Sequence, residues 1–327
     1  MNVVFFGTPL FAAQVLSFLV NHQVQVTAIV TRPDRPQGRT SAPCFSAVKQ
    51  ISRTQFPNIP LYQPNKTSDF QFEKQIKAHK ADLFIVAAYG EIIGKHLLTI
   101  PKLSCLNIHP SLLPKYRGAA PIHFALLNGD RQSGTTIIEM APKMDAGAIL
   151  KQTTVSIPPE MNFQTLENHL CQVSCRDILT VIQAFEKGDV QKIPQDHSKA
   201  TYVKKINPSM ACLDWHQPAT VLHNQIRAFS PRPGAWCRIT FKGQLKRLKI
   251  TRSRILNGLF GPSGKTIRYD QKSWIIACGQ DALELLEVQL EGKSRMIIKD
   301  FLMGHTQIPH LSENMTTPSP KGEGFST

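Results

Sequence analysis

Along its first 190 residues the chain alternates between short, continuous apolar runs and longer stretches in which apolar residues recur every three or four positions. The runs at 2–6, 24–30, 82–90 and 105–108 have strand length and little polar alternation, which predicts strands buried on both faces. Strands at 61–62, 135–140 and 149–157 complete the set. Between them, helical spacing predicts helices over 10–20, with Pro9 near the first turn, and over 47–56, 69–79 and 122–127. Asn162 is expected to cap a long helix that runs to Lys187 and is closed by Gly188, with Leu166, Leu170, Val173, Ile178, Val181 and Phe185 on its core face. Strands alternating with helices imply right-handed crossovers and a parallel, doubly wound sheet, an α/β fold of the Rossmann-like type over 1–188.

The pattern then changes. Residues 189–207 hold few apolar positions and include Pro194, Lys204 and Lys205, which predicts a linker. Beyond it a helix at 219–228 precedes short β-like runs at 236–241, 245–250, 267–269, 274–277 and 283–290, separated by glycines. Such runs suit a small β-barrel of the OB-like type over 208–310. Residues 311–327, rich in Pro, Ser, Thr and Gly, predict a disordered tail.

Composition narrows the class. A length of 327 residues with 42% hydrophobic content fits two globular domains, each with its own core. The first apolar run is cut at Gly7-Thr8-Pro9, so neither a signal peptide nor a bilayer span is expected. Seven scattered cysteines without a Cys-x-x-Cys pair predict a reducing cytoplasm and no zinc, with Cys171 and Cys175 packing on one helix face. The turn after the first strand has one glycine and lacks Gly-x-Gly-x-x-Gly, so NAD and FAD are not expected. No oligomer seam is legible, which leaves a monomer as the default. The net charge of +15 is uneven: +6 over 1–203 and +10 over the shorter 204–310. That asymmetry points to a polyanion held by the second domain while chemistry happens in the first. Six bases and no acid lie between Phe241 and Ile255 (Lys242, Lys246, Arg247, Lys249, Arg252 and Arg254), in keeping with a phosphate-tracking surface.

Candidate chemistry concentrates between Cys105 and Leu150. The strand at 105–108 delivers Asn107, His109 and Ser111 at its C-terminal end, where open α/β sheets bind ligands. A shaped loop follows, with Pro114, Gly118 and Pro121, in which Lys115 and Arg117 are expected to offer charge to an anionic ligand. The turn 144–147 then supplies Asp145. An Asn amide can donate to an oxyanion, an imidazole can move a proton, and a carboxylate can orient that imidazole. The set suits acyl transfer to an amine, and since Ser111 lacks a nucleophile-elbow pattern, direct attack by a substrate amine is expected.

Asn107-Ile108-His109-Pro110-Ser111-Leu112-Leu113-Pro114, Arg117-Gly118-Ala119-Ala120-Pro121 and Asp145-Ala146-Gly147 closely resemble the folate-dependent formyltransferases, and the Arg-Gly-Ala-Ala-Pro form resembles those that act on methionyl-tRNA. The likeness extends to Phe6-Gly7-Thr8-Pro9 and Arg227-Ala228-Phe229 and runs to about residue 310. It implies transfer of a formyl group from 10-formyltetrahydrofolate to the methionine amine of initiator methionyl-tRNA, without metal, with Asn107, His109 and Asp145 catalytic. It implies further that Ser111, Leu112, Leu113 and Pro114 line the folate site beside the turn Ala88, Tyr89 and Gly90. The loop after the second strand, with Arg35 and above all Arg39, would meet the tRNA, as would Lys204, Lys205, Lys242, Lys246, Arg247 and Lys249. Other readings are a formyltransferase acting on an amino-sugar nucleotide or glycinamide ribonucleotide, which leaves the basic domain without a task, and a non-catalytic RNA-binding module, against which the intact Asn107, His109 and Asp145 stand.

Overall fold

A computed structural model describes residues 1–36, 43–304 and 309–311, and the chain divides into two compact units. The first contains residues 1–122, 131–157 and 165–204; the second contains 123–130, 158–164 and everything from Lys205 on.

The first unit is built on a seven-stranded sheet in the order Ile149–Ser156, Gln132–Glu139, Ser104–His109, Leu83–Ala87, Asn2–Gly7, Gln25–Val30 and Leu61–Tyr62. The last five of these strands are mutually parallel, as expected. The first two are antiparallel, because only residues 140–148 join them and a parallel pairing needs a longer crossover. Alternation along Asn2–Gly7 sends Val3 and Phe5 to one face and Val4 and Phe6 to the other, and each face has its own buried core. On the first face, helices Leu10–Asn21 and Phe163–Lys187 contribute Val15, Leu16, Leu19, Ile178 and Val181, together with Cys171 and Cys175 as packing residues. On the second face, Phe72 and Ile76 of helix Phe70–Ala78 cover Phe84 and Val86.

Two connecting segments are held in place by specific pairings. The loop after Gln25–Val30 is anchored over its described part: Arg35–Pro36 pairs with Pro43–Cys44, and Asp34 accepts from Gln63 Nε2 at 2.9 Å and forms an ion pair with Lys49. The Lys49 hydrogen bond, followed by that from Gln63, holds the Asp34 carboxyl below the usual carboxylate range. Arg39 lies outside the described residues. The stretch expected as a linker is also ordered, since Ile193 pairs with Ile149 and Tyr202–Val203 pairs in parallel with Arg117–Gly118. Residues 189–204 therefore belong to the first unit.

In the second unit an antiparallel sheet runs in the order Thr266–Tyr269, Trp274–Ala277, Ala282–Leu290, Gln244–Leu256, Ala235–Phe241 and His310–Leu311. Its ends do not join among the described residues, so the expected barrel is a curled half-barrel. Helix Ala219–Phe229 fills the concavity with Leu222, Ile226 and Phe229, against Trp274, Leu285 and Phe301. Two segments from the first half of the sequence complete this unit. The His123 ring lies 4.0 Å from Phe163 and 5.9 Å from Phe229, and His223 Nε2 is 3.4 Å from the Pro159 carbonyl oxygen. Burial depresses the His123 imidazole to about 4. No helix among the described residues is long and apolar enough to cross a membrane.

Candidate active site

Strands Leu83–Ala87 and Ser104–His109 are parallel neighbours, with Val86 opposite Asn107 and Ala87 opposite Ile108. Their carboxyl ends therefore bring the turn 88–90 and the segment 107–114 side by side. Ala88 and Gly90 are exposed with left-handed φ of 44° and 85°, while Tyr89 is buried against Phe6 at a ring separation of 5.6 Å. The Tyr89 carbonyl accepts from Thr8 Oγ1 at 2.7 Å, which ties this turn to the one after the first strand. Burial pushes the Tyr89 phenol up to about 12.

The loop beyond His109 is held from inside. Ser111 Oγ donates to the Lys115 carbonyl at 2.7 Å, and Thr136 Oγ1 donates to the Ser111 carbonyl at 2.6 Å. Gln152 Nε2 donates to the Leu113 carbonyl at 2.9 Å. Ser111 and Leu113 are buried, so of the four residues expected along a folate, Leu112 and Pro114 are the ones with exposed side-chain surface.

Asp145 sits at the end of the hairpin between Gln132–Glu139 and Ile149–Ser156, with φ +49°, a left-handed conformation that Asp adopts more readily than most residues. Gly147 closes the same turn. A Cβ there would stand 1.7 Å from the Glu139 carbonyl oxygen, so only glycine fits. The turn aims the carboxylate at the strand end. Asp145 Oδ2 accepts the Gly118 N–H at 2.8 Å and lies 3.7 Å from His109 Nδ1, and Asp145 Oδ1 accepts from Asn107 Nδ2 at 3.3 Å. The other imidazole nitrogen, His109 Nε2, is 2.9 Å from the Tyr116 carbonyl oxygen. A carbonyl can only accept, so Nε2 carries a hydrogen and Nδ1 is the nitrogen free to exchange a proton. Asn107 keeps a second amide hydrogen for a ligand oxygen. The three side chains thus form a cluster with one amide donor, one imidazole nitrogen turned to the carboxylate, and one carboxylate.

Arg117 differs from its expected role. Instead of facing a ligand it is wholly buried, donating to Gln195 Oε1 through Nε at 3.2 Å and Nη2 at 2.6 Å, to His197 Nδ1 at 2.9 Å, and to Tyr202 Oη at 3.3 Å. Lys115 is exposed. Gln195, the Gly118 N–H and the Tyr116 carbonyl belong to the site and carry no signal in the sequence: two are backbone groups, and Gln195 stands in a stretch without periodicity. Among the described residues no group of three or more His, Cys, Asp or Glu is arranged to hold a metal ion.

Of the expected tRNA contacts, Arg35, Lys204, Lys205, Lys242 and Arg247 are exposed, and Lys246 and Lys249 are partly so. Lys242 sits in the turn before Gln244–Leu256 with φ +50°. Along that strand Leu248 and Ile250 face the core, and the bulges between Ile250 and Ser253 reverse the parity. Arg252 and Arg254 consequently share the outward side with Arg247 and Lys249. Arg254 is ion-paired with Glu284, and the Arg247 guanidinium lies 4.3 Å from the centroid of Trp236.

Two family models match the sequence, formyl transferase over residues 1–182 and formyl transferase, C-terminal domain, over 205–306. The chain belongs to the formyl transferase family. A methionyl-tRNA formyltransferase of Protochlamydia amoebophila is 46% identical to this formyl transferase over 304 residues, covering 93% of this chain and 95% of the relative. One from Moorella thermoacetica is 34% identical over 310 residues, covering 94% and 98%. Among solved structures, HypX from Aquifex aeolicus with tetrahydrofolic acid superposes with a TM-score of 0.62 at 16% identity, over 92% of this chain and 46% of that one. An N-formyltransferase from Helicobacter canadensis with folinic acid and dTDP-3-aminofucose gives 0.61 at 16%, over 86% and 97%. At such identities these two likenesses describe the fold of the formyl transferase and nothing finer.

Proposed function

We propose that this formyl transferase moves the formyl group of 10-formyltetrahydrofolate onto the α-amine of methionine carried by initiator tRNA. The observation that carries the reading is the convergence of Asn107, His109 and Asp145 at a strand end, in a chain whose full-length relatives are named methionyl-tRNA formyltransferases. The donor fits beside the exposed backbone of Ala88 and Gly90 and the accessible sides of Leu112 and Pro114. Tyr89 Oη is buried beside that turn with no hydrogen-bond partner among the described residues, and a polar ligand atom would satisfy it.

The acceptor amine attacks the formyl carbon, and charge grows on the carbonyl oxygen. Asn107 Nδ2 donates to that oxygen with the hydrogen not given to Asp145, and His109 Nδ1–H is the second donor. The attacking amine loses a proton as the new C–N bond forms. Asp145 is the carboxylate of the cluster that accepts it, and the carboxylate stays aimed because Gly118 N–H and Asn107 grip its two oxygens. When the tetrahedral centre collapses, the proton passes to the folate nitrogen that leaves.

Recognition of the tRNA is assigned to the outward basic face of Gln244–Leu256, helped by Lys204, Lys205, Arg35 and Arg39. Arg247, Lys249 and Arg252 have charge to offer phosphates there, whereas Arg254 is already compensated by Glu284. The test is incubation of the protein with 10-formyltetrahydrofolate and a panel of acceptors: methionyl initiator tRNA, methionyl elongator tRNA, glycinamide ribonucleotide and an amino-sugar nucleotide. Mass spectrometry of the products should find formyl-methionine on initiator tRNA alone. Formylation of a small acceptor without the tRNA would refute the assignment.

A further inference from the structure

We infer that Gln195 is a positioning residue for the reaction: its amide fixes the main chain of Asp145, and buried Arg117 fixes Gln195. This rests on the formyl-transfer reading above.

Gln195 is 7% exposed and both polar atoms of its amide have partners. Nε2 donates to the Asp145 carbonyl at 2.9 Å and to the Gly147 carbonyl at 2.7 Å. Oε1 accepts from Arg117 Nε and Nη2. A guanidinium only donates and carbonyls only accept, so the amide has one possible orientation. Gln195 therefore bridges both shoulders of the turn in which Asp145 takes its left-handed conformation and Gly147 leaves no room for a side chain.

The bridge closes on itself. Arg117 and Gly118 are consecutive, and they reach Asp145 from opposite ends: the Gly118 N–H holds the carboxylate at 2.8 Å, while the Arg117 side chain acts through Gln195 on the Asp145 carbonyl. The segment after Gln195 keeps Arg117 in place. His197 and Tyr202 accept two further hydrogens, Thr201 accepts the Arg117 N–H through its carbonyl at 2.8 Å, and Tyr202–Val203 pairs with Arg117–Gly118. Residues 195–203 are thus a strap around one buried guanidinium, and its first residue sets the backbone of Asp145. Displacing a reacting group by about 1 Å can cost on the order of 10²-fold in rate. The carboxylate meets three partners through a turn of four residues, so release of the turn misplaces it.

Two substitutions separate this role from mere support of Arg117. Gln195→Glu keeps the one oxygen that the guanidinium uses but puts an acceptor against two carbonyls; Gln195→Met keeps the volume and removes all polar contacts. If Gln195 positions Asp145, both variants lose kcat by about 10- to 100-fold with either KM changed less than about threefold. The Glu variant, which retains the Arg117 contact, loses less thermal stability than the Met variant. Hydrogen exchange at the Gly118 amide, whose partner is Asp145 Oδ2, should also accelerate in the Glu variant, and this readout needs no activity. Wild-type kcat and unchanged Gly118 exchange in Gln195→Glu would overturn the inference. Absent formyl transfer by the wild type would refute the functional reading instead, and the exchange result would still decide whether Gln195 sets Asp145.

Discussion

His109 presents Nδ1 to Asp145 Oδ2 at 3.7 Å, and it can do so because Nε2 is committed to the Tyr116 carbonyl at 2.9 Å. The reacting edge of the imidazole is therefore defined by a backbone oxygen in the loop that follows the strand. An asparagine side chain can place its amide nitrogen near Nδ1, whereas a glutamine reaches the Nε2 position. We expect His109→Gln to lose about 10²–10³ in kcat, the usual cost of one oxyanion donor, and His109→Asn to retain about tenfold more activity than Gln. Steady-state kinetics of the pair checks this, and equal losses would mean that the edge assignment is wrong.

Gly147→Ala tests the turn itself. The added methyl meets the backbone of Glu139, which cannot swing aside like a flexible side chain. The hairpin end must open, carrying Asp145 with it. A stability loss of about 2–4 kcal/mol and a kcat reduction of at least tenfold are expected, read by chemical denaturation and formyl-transfer kinetics.

Salt dependence tests the basic face. Replacing Arg247, Lys249 and Arg252 by Ala should weaken tRNA binding and flatten the slope of log K against log salt by about 0.9 for each phosphate that is no longer neutralised. The KM for 10-formyltetrahydrofolate should not move. Arg254→Ala should have a smaller effect, because Glu284 already balances that guanidinium. Equal slopes for all four variants would remove the face from the account.

The second unit should lose stability in acid through His123. Its folded imidazole lies at about 4, below the unfolded value near 6.5, so the unfolded chain binds the extra proton first. Stability is intact above about pH 6.5 and falls as pH drops towards 4. The full shift corresponds to at most about 3 kcal/mol, less after allowance for the solvent that reaches this half-buried ring. His123→Phe, which can stack with Phe163 and Phe229, should make the stability flatter with pH over that window. Denaturation curves at pH 7.5 and 5 would show it. His223 is also depressed by burial, so part of the acid sensitivity should remain.

Much of this architecture is legible in the sequence because it follows from period and punctuation. The apolar runs at 2–6, 82–90 and 105–108 could only be buried strands, and their order places Asn107 and His109 at a carboxyl end. Asp145-Ala146-Gly147 reads as a tight turn for the reason the structure supplies, a glycine with no room for Cβ. Arg117 misleads because charge in a Pro- and Gly-rich loop normally faces water, and nothing local reveals that Gln195, 78 residues on, will bury it. Gln195 is silent for the same cause: its partners are the Arg117 side chain and two distant main-chain carbonyls, which leave no periodic trace. The segments 123–130 and 158–164 read as parts of the first domain because sequence continuity says nothing of which core a loop joins. Bulges in Gln244–Leu256 likewise decide which bases share a face, and alternation alone would have split Arg247 and Lys249 from Arg252 and Arg254.

The most direct measurement of the central claim is a single-turnover assay of formyl transfer from 10-formyltetrahydrofolate to methionyl initiator tRNA, with wild type and Asp145→Ala side by side and tRNA binding measured for both. The account predicts product from the wild type, a rate at least about 10²-fold lower in the variant, and equal tRNA binding. Equal rates in the two proteins, or tRNA binding without formylation by the wild type, would contradict it.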